Sequence, residues 1–286
     1  MREAAHHQQK TAKPTHRGLS RFLGFLLTIS LFVTVGAFLT RQTVLNVNYV
    51  TNTLTSSQNL SAITKATDKQ IQTVATENGL PSELTKDLVT KADIKTDLTT
   101  TVTNLYHGDT TPLSTSTIST QLTTNLNNVA AENSLTLSST VQALIQPFIN
   151  SAAQKVQTKI SDQYSLKKVV AVLHDAEFYT AALFWGGLVV SLALGLWLFI
   201  MAHLSSFCRY FGGAAFWAGL LWVLLGFMGT TAVAQNIVVG TIENTDVANI
   251  AQQLITGVSQ TYMLGGAIAL VVGLVLWLFS LMGRRR

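Results

Sequence analysis

Residues 178–202 read FYTAALFWGGLVVSLALGLWLFIMA, with no Lys, Arg, Asp or Glu. Wound as a helix at about 1.5 Å per residue, this run is long enough to cross about 30 Å of hydrocarbon. A helix satisfies its own backbone hydrogen bonds, so it can lie where no water competes for them. Residues 22–40, 211–232 and 262–282, of 19, 22 and 21 residues, are likewise apolar and free of charge. The sequence therefore predicts an all-α membrane protein with four transmembrane helices.

The charges outside these spans sort by sign. The leader 1–21 carries Arg2, Lys10, Lys13, Arg17 and Arg21 against Glu3, and the connection 203–210 carries Arg209. Arg284, Arg285 and Arg286 lie in the tail 283–286. Segments 41–177 and 233–261 together hold ten basic and thirteen acidic residues. Lys and Arg beside spans stay on the cytoplasmic side. Arg17, Arg21, Arg209 and Arg284–Arg286 thus set the expected topology: both ends inside, with a large and a small extracytoplasmic segment. This arrangement accounts for the basic pI, and no nucleic-acid partner is expected. The first span has a basic leader and a core longer than the usual signal-peptide core of about 7–15 residues, so an uncleaved signal anchor is expected.

Residues 41–177 are rich in Thr, Ser, Asn and Gln, yet apolar side chains recur at helical spacing. Ile94, Leu98, Val102 and Leu105 form one stripe, and Ile118, Leu122, Leu126 and Val129 another. A third runs through Val141, Leu144, Ile145, Phe148, Ile149, Ala152, Val156 and Ile160. These are amphipathic helices. At an offset of 55, Val74-Ala75-Thr76-Glu77-Asn78-Gly79-Leu80 aligns with Val129-Ala130-Ala131-Glu132-Asn133-Ser134-Leu135. The expected extracytoplasmic domain is two tandem αα-hairpins inserted between the first and second spans, with repeat copies at about 59–106 and 116–165. Within them the helices are about 59–77 with 81–106, and 116–131 with 138–165. Gly79 suits the left-handed residue that ends a helix, Pro81 the first turn of the next, and Ser138 or Ser139 a cap. Pro147 should kink the longest helix. Asn59-Leu60-Ser61 is a glycosylation triplet of the kind that also arises by chance.

Small residues recur in the spans: Gly187, Ser191 and Gly195 in the second, Gly219 and Gly226 in the third, Gly265, Ala269 and Gly273 in the fourth. Such faces let membrane helices approach closely. The spacing predicts the second and fourth spans as the close pair. The fourth span should be preceded by a short amphipathic helix capped by Thr245.

Nothing in the chain assembles a catalytic, cofactor or metal signature. No G-x-S-x-G, H-E-x-x-H or glycine-rich phosphate loop occurs, and the spans hold no acid. His174 and Glu177 share a helix face, but two ligands do not make a metal site. Lys91-x-Asp93-x-Lys95-x-Asp97 reads as a solvated helix face. Cys208 is the one cysteine, so no disulfide staples the outer segment. No enzyme activity and no cofactor are expected.

The order of span, large outer segment and three further spans resembles the permease subunits of the mechanotransmission class of ABC transporters. That class implies an ATPase partner touched by a cytoplasmic helix between the second and third spans. Here residues 203–210 are short and carry a single charge, Arg209. The composition of the outer segment is similar to that of surface membrane proteins of low-GC Gram-positive bacteria. The expected role is that of a multi-pass cell-membrane protein whose outer domain binds a protein, peptide or wall component. Its partners would be the bilayer and an envelope protein or a second copy; the alternative is an accessory subunit of an ABC-type transporter.

Overall fold

The computed structural model describes residues 17–80, 85, 88–111, 113–134, 139–164, 166–201, 204–240, 242 and 245–282. The described residues are almost wholly helical and contain no strand. In chain order the helices are α1 (Arg17–Gln42), α2 (Val47–Leu54), α3 (Ser57–Glu77), α4 (Lys91–Tyr106) and α5 (Thr115–Glu132). They continue with α6 (Ser139–Tyr164), α7 (Leu166–Met201), α8 (Leu204–Gly229), α9 (Ala232–Val239) and α10 (Thr245–Met282). Helices α1, α7, α8 and α10 contain four segments long and apolar enough to cross a membrane. Their outward faces are apolar, with Phe25, Trp185, Leu192, Ile200, Trp217 and Ile268 all more than half exposed. A surface this apolar belongs in lipid rather than water. The protein is an integral membrane protein built as a helical bundle.

The chain divides into two compact units. The first holds 1–36, 183–224 and 264–286. Leu23 and Leu27 of α1 pack there with Leu198 of α7 and Ala214 of α8. Ser30 Oγ lies 2.8 Å from Ser191 Oγ and donates to the Gly187 carbonyl at 2.9 Å. The Trp222 ring stacks on Phe32 with centroids 4.6 Å apart, and its Nε1 donates to the Phe32 carbonyl at 2.9 Å. The ring occupies the space where Gly36 has no side chain; a Cβ there would lie 2.7 Å from ring atom Cη2.

The second unit holds 37–182 and 225–263. In it α5 packs along α6, α3 packs with both α4 and α6, and α2 packs with α4. The core is Ile71, Val74, Leu88, Ile118, Leu122, Leu126, Ile145, Phe148 and Ile149, with Ala75, Ala152 and Ala153 at the closest approaches. Thr is a poor helix former because its hydroxyl competes for backbone bonds. Here Thr64, Thr73, Thr76, Thr96, Thr99 and Thr120 each donate to the carbonyl four residues back, which keeps the helix and satisfies the hydroxyl.

Local chemistry sets the helix ends. Asn46 and Ser114 accept hydrogen bonds from the first turns of α2 and α5. Thr90 and Asp93 form a reciprocal capping box at the start of α4. Gly79 and Gly108 take positive φ (73° and 91°) and close α3 and α4 with the paired carbonyl bonds of a Schellman motif. Ser134 closes α5 with φ 56°.

Several boundaries differ from the sequence reading. Within the stretch expected to be helical from 81, α4 begins at Lys91 with Thr90 as its cap; residues 81–84, 86 and 87, and Ser138, lie outside the described residues. Residues 204–210, read as a connection, are the first turns of α8, since Phe207, Tyr210 and Phe211 pack with the bundle core. The helix expected to run on from Thr245 towards the fourth span is the start of α10, which begins at Thr245. The α6 helix runs on through Pro147.

Candidate functional site

The helical second unit contains an apolar cavity of about 230 Å³. Leu88, Ile94, Ile118, Leu122 and Ile71 form its walls, from α3, α4, α5 and the segment before α4. Four polar residues line one side: Asp93 and Asp97 on α4, Gln121 and Asn125 on α5. These pair across the two helices. Asn125 Nδ2 donates to Asp93 Oδ2 at 2.7 Å and to the Leu88 carbonyl at 2.9 Å. Gln121 Nε2 donates to Asp97 Oδ1 at 2.8 Å. Spacing of four residues on both helices sets the two pairs one turn apart.

The two carboxylates differ in what they receive. Asp93 also accepts from Thr90 through the capping box, at 2.6 Å from Oγ1 and 3.2 Å from the backbone N–H. Among the described residues Asp97 accepts a single hydrogen bond, from Gln121. Burial raises the Asp97 pKa, the Gln121 bond lowers it, and the charge of Asp93 raises it further. Among the described residues lining this cavity there is no Lys, Arg or His. A carboxylate can accept about four hydrogen bonds. Asp97 thus keeps acceptor capacity beside an apolar wall and has no counter-ion there.

The sequence reading placed Asp93 and Asp97 on a solvated face with Lys91 and Lys95. The structure separates them: both lysines are exposed and both acids are half-buried against the cavity. Two residues along a helix turn the side chain to the far side, so the alternation itself carried the signal.

A second cavity in this unit, of about 390 Å³, is lined by His107, His174 and Glu177 together with Tyr106, Leu105 and Leu173. His107 Nδ1 lies 2.8 Å from the Thr103 carbonyl. Tyr106 donates its hydroxyl to the Val44 carbonyl, and burial raises its pKa. His107 is the neighbour that the sequence did not supply for His174 and Glu177. Among the described residues, however, no three such side chains are placed to hold a metal ion.

The small residues of the spans fall into two settings. Gly187 and Ser191 of α7 face α1, where a Cβ on Gly187 would lie 3.4 Å from the Thr34 Cβ. Gly195 has ordinary room beside Phe211. Backbone-to-backbone contact belongs to α8 and α10. A Cβ on Gly212 would lie 2.8 Å from the Gly273 carbonyl oxygen, and one on Gly219 would lie 2.6 Å from that of Gly266. One on Gly226 would lie 2.7 Å from that of Ser259. Gly212, Gly219 and Gly226 step by seven along α8, and Ser259, Gly266 and Gly273 step by seven along α10. This is an antiparallel seam with the period of a left-handed pair. Ala269 abuts Gly219, whereas Gly265, one residue off the seam, is half-buried. The close pair is thus the third and fourth spans rather than the second and fourth.

Among the topology residues, Arg17 and Arg21 lie in the first turns of α1 and Arg209 is exposed on α8. Arg284, Arg285 and Arg286 lie outside the described residues. Asn59 is 2% exposed and donates from Nδ2 to the Thr53 carbonyl at 2.8 Å, which hides the glycosylation triplet in the fold. No family model, curated protein or solved structure matches this chain.

Proposed function

We propose that this is a non-enzymatic, multi-pass protein of the cell envelope whose helical unit faces outward and captures a ligand or partner. The single observation that carries this reading is the cavity between α3, α4 and α5, with its uncompensated Asp97. In this reading 22–40, 178–202, 211–232 and 262–282 cross the membrane. Segments 41–177 and 233–261 lie outside, and both termini and Arg209 lie inside. The excess of Lys and Arg in the inner segments supports that orientation.

The outer domain is read as two tandem αα-hairpins that arose by duplication. Equivalent chemistry 55 residues apart supports this. Asn78 Nδ2 donates to the Val74 carbonyl, and Asn133 Nδ2 to that of Val129. The next residues, Gly79 and Ser134, are both left-handed. A four-stripe helical unit of this kind offers a ligand site between its helices, as bundles commonly do. The transporter-subunit alternative has less support: α7 ends at Met201 and α8 begins at Leu204, so little chain separates them to reach an ATPase.

The test is mild crosslinking in the native membrane, purification through a terminal tag and mass spectrometry. An envelope protein or wall component crosslinked to α3, α4 or α5 is the expected result. A stoichiometric ATPase crosslinked to 203–210 or to the N-terminal tail would replace this reading with the transporter one.

A further inference from the structure

The cavity of the helical unit has features that restrict what it can hold. Among the described residues its walls are mainly aliphatic, with Thr67 and Thr101 beside them, its charged groups are two acids on one helix face, and no base lines it. An apolar cavity of about 150 Å³ accepts benzene. At about 230 Å³ this one has room for one ring and a short arm. A neutral hydrocarbon would fill the walls and leave the acids as they are. A carboxylate or phosphate would add like charge beside Asp97. A bare divalent cation needs six or more oxygens, and among the described residues no three His, Cys, Asp or Glu side chains are placed to hold one.

We infer that the cavity binds a small organic ammonium with an apolar body about one ring in size, its charge between Asp93 and Asp97 and its body against Ile94, Ile118 and Leu122. The ammonium supplies donors to the open acceptor positions of Asp97 and the counter-charge that the site lacks. Beside the two acids α4 and α5 are joined by the Asn125–Asp93 and Gln121–Asp97 side-chain bonds. This inference rests on the reading of the helical unit as the ligand-binding part and adds the ligand's chemical class.

The experiment uses the full chain in lipid nanodiscs and three probes: 2-phenylethylammonium, 2-phenylethanol and phenylacetate. Binding is measured by ligand-observed NMR and calorimetry. The ammonium is expected to bind and phenylacetate not to bind. Asp97→Asn should weaken the ammonium by about tenfold to a hundredfold, the worth of a charge-assisted hydrogen bond. The cavity-filling Ile118→Phe should abolish binding, with an unchanged helical circular dichroism spectrum showing that the fold is kept. Equal binding to wild type and Asp97→Asn would overturn the inference by showing partition into lipid. Binding of the alcohol as tight as that of the ammonium, or no binding of the ammonium at all, would overturn it too. The broader reading is tested separately. A crosslinked envelope partner survives failure of the probes, and probe binding survives a helical unit found on the cytoplasmic side.

Discussion

Gly219→Ala is the sharpest perturbation of the bundle. The added Cβ would lie 2.6 Å from the Gly266 carbonyl oxygen and 3.0 Å from the Ala269 carbonyl carbon. These are backbone atoms, so no rotamer change relieves the clash. The Leu270 amide nitrogen lies closer still, so reaching ordinary contact requires α8 and α10 to part locally by about 1 Å. A gap of that size forfeits about a quarter to a half of the dispersion energy along the seam. Overpacking of this kind costs about 1–3 kcal/mol, against which alanine gains up to about 1 kcal/mol of helix propensity. The net expectation is a loss of about 1–2 kcal/mol. Gly213, six residues earlier on the same helix, has nothing within 4 Å of an added Cβ. Gly213→Ala should therefore be neutral or gain up to about 1 kcal/mol. Titrating both variants from mild detergent into SDS, followed by circular dichroism, measures the difference. A Gly219→Ala protein as stable as Gly213→Ala would refute the seam.

Two further predictions concern the helical unit. Asp97 titrates above its unfolded value of 3.8, so the folded state holds the proton longer than the unfolded chain. Stability contributed by this group therefore falls as pH rises from 3.8 through the raised folded value, and the penalty is complete above it. Among the described residues Asp93 is the other titratable group lining the cavity. Asp97→Asn removes the penalty, so it should raise the melting temperature at neutral pH, with the gain shrinking towards pH 4. A lower melting temperature at neutral pH would count against the assigned burial. Ser134 holds φ 56°, a conformation that costs non-glycine residues about 1 kcal/mol or more. Ser134→Gly should stabilise by about that amount and Gly79→Ser should destabilise similarly. Opposite signs in urea melts would break the proposed equivalence of the two turns.

The four spans were legible because length and the absence of charge are one-dimensional properties, and hydrocarbon enforces both. The left-handed end was legible at Gly79, where glycine answers a backbone demand. The small-residue seam was half legible. Gly219, Gly226 and Gly273 were read correctly as small, but a spacing of four was followed where the helices use seven, which swapped Gly266 for Gly265. Choosing between neighbouring registers needs the partner helix, and one sequence does not name it. The cavity was hidden for a similar reason. The alternation of Lys91, Asp93, Lys95 and Asp97 already divides a helix into two faces. Only the long-range bonds from Gln121 and Asn125 show that the acidic face is the inner one.

The central proposal is that the helical unit lies on the extracytoplasmic side of the membrane. Cysteine labelling in intact cells tests it directly. Cys208 is replaced by serine, and single cysteines are placed at Thr100, exposed on α4, and at Gly18, exposed on α1. A membrane-impermeant maleimide is expected to label Thr100→Cys in intact cells, and Gly18→Cys only after permeabilisation. Labelling of Gly18→Cys in intact cells, with Thr100→Cys protected until the membrane is opened, would contradict the account.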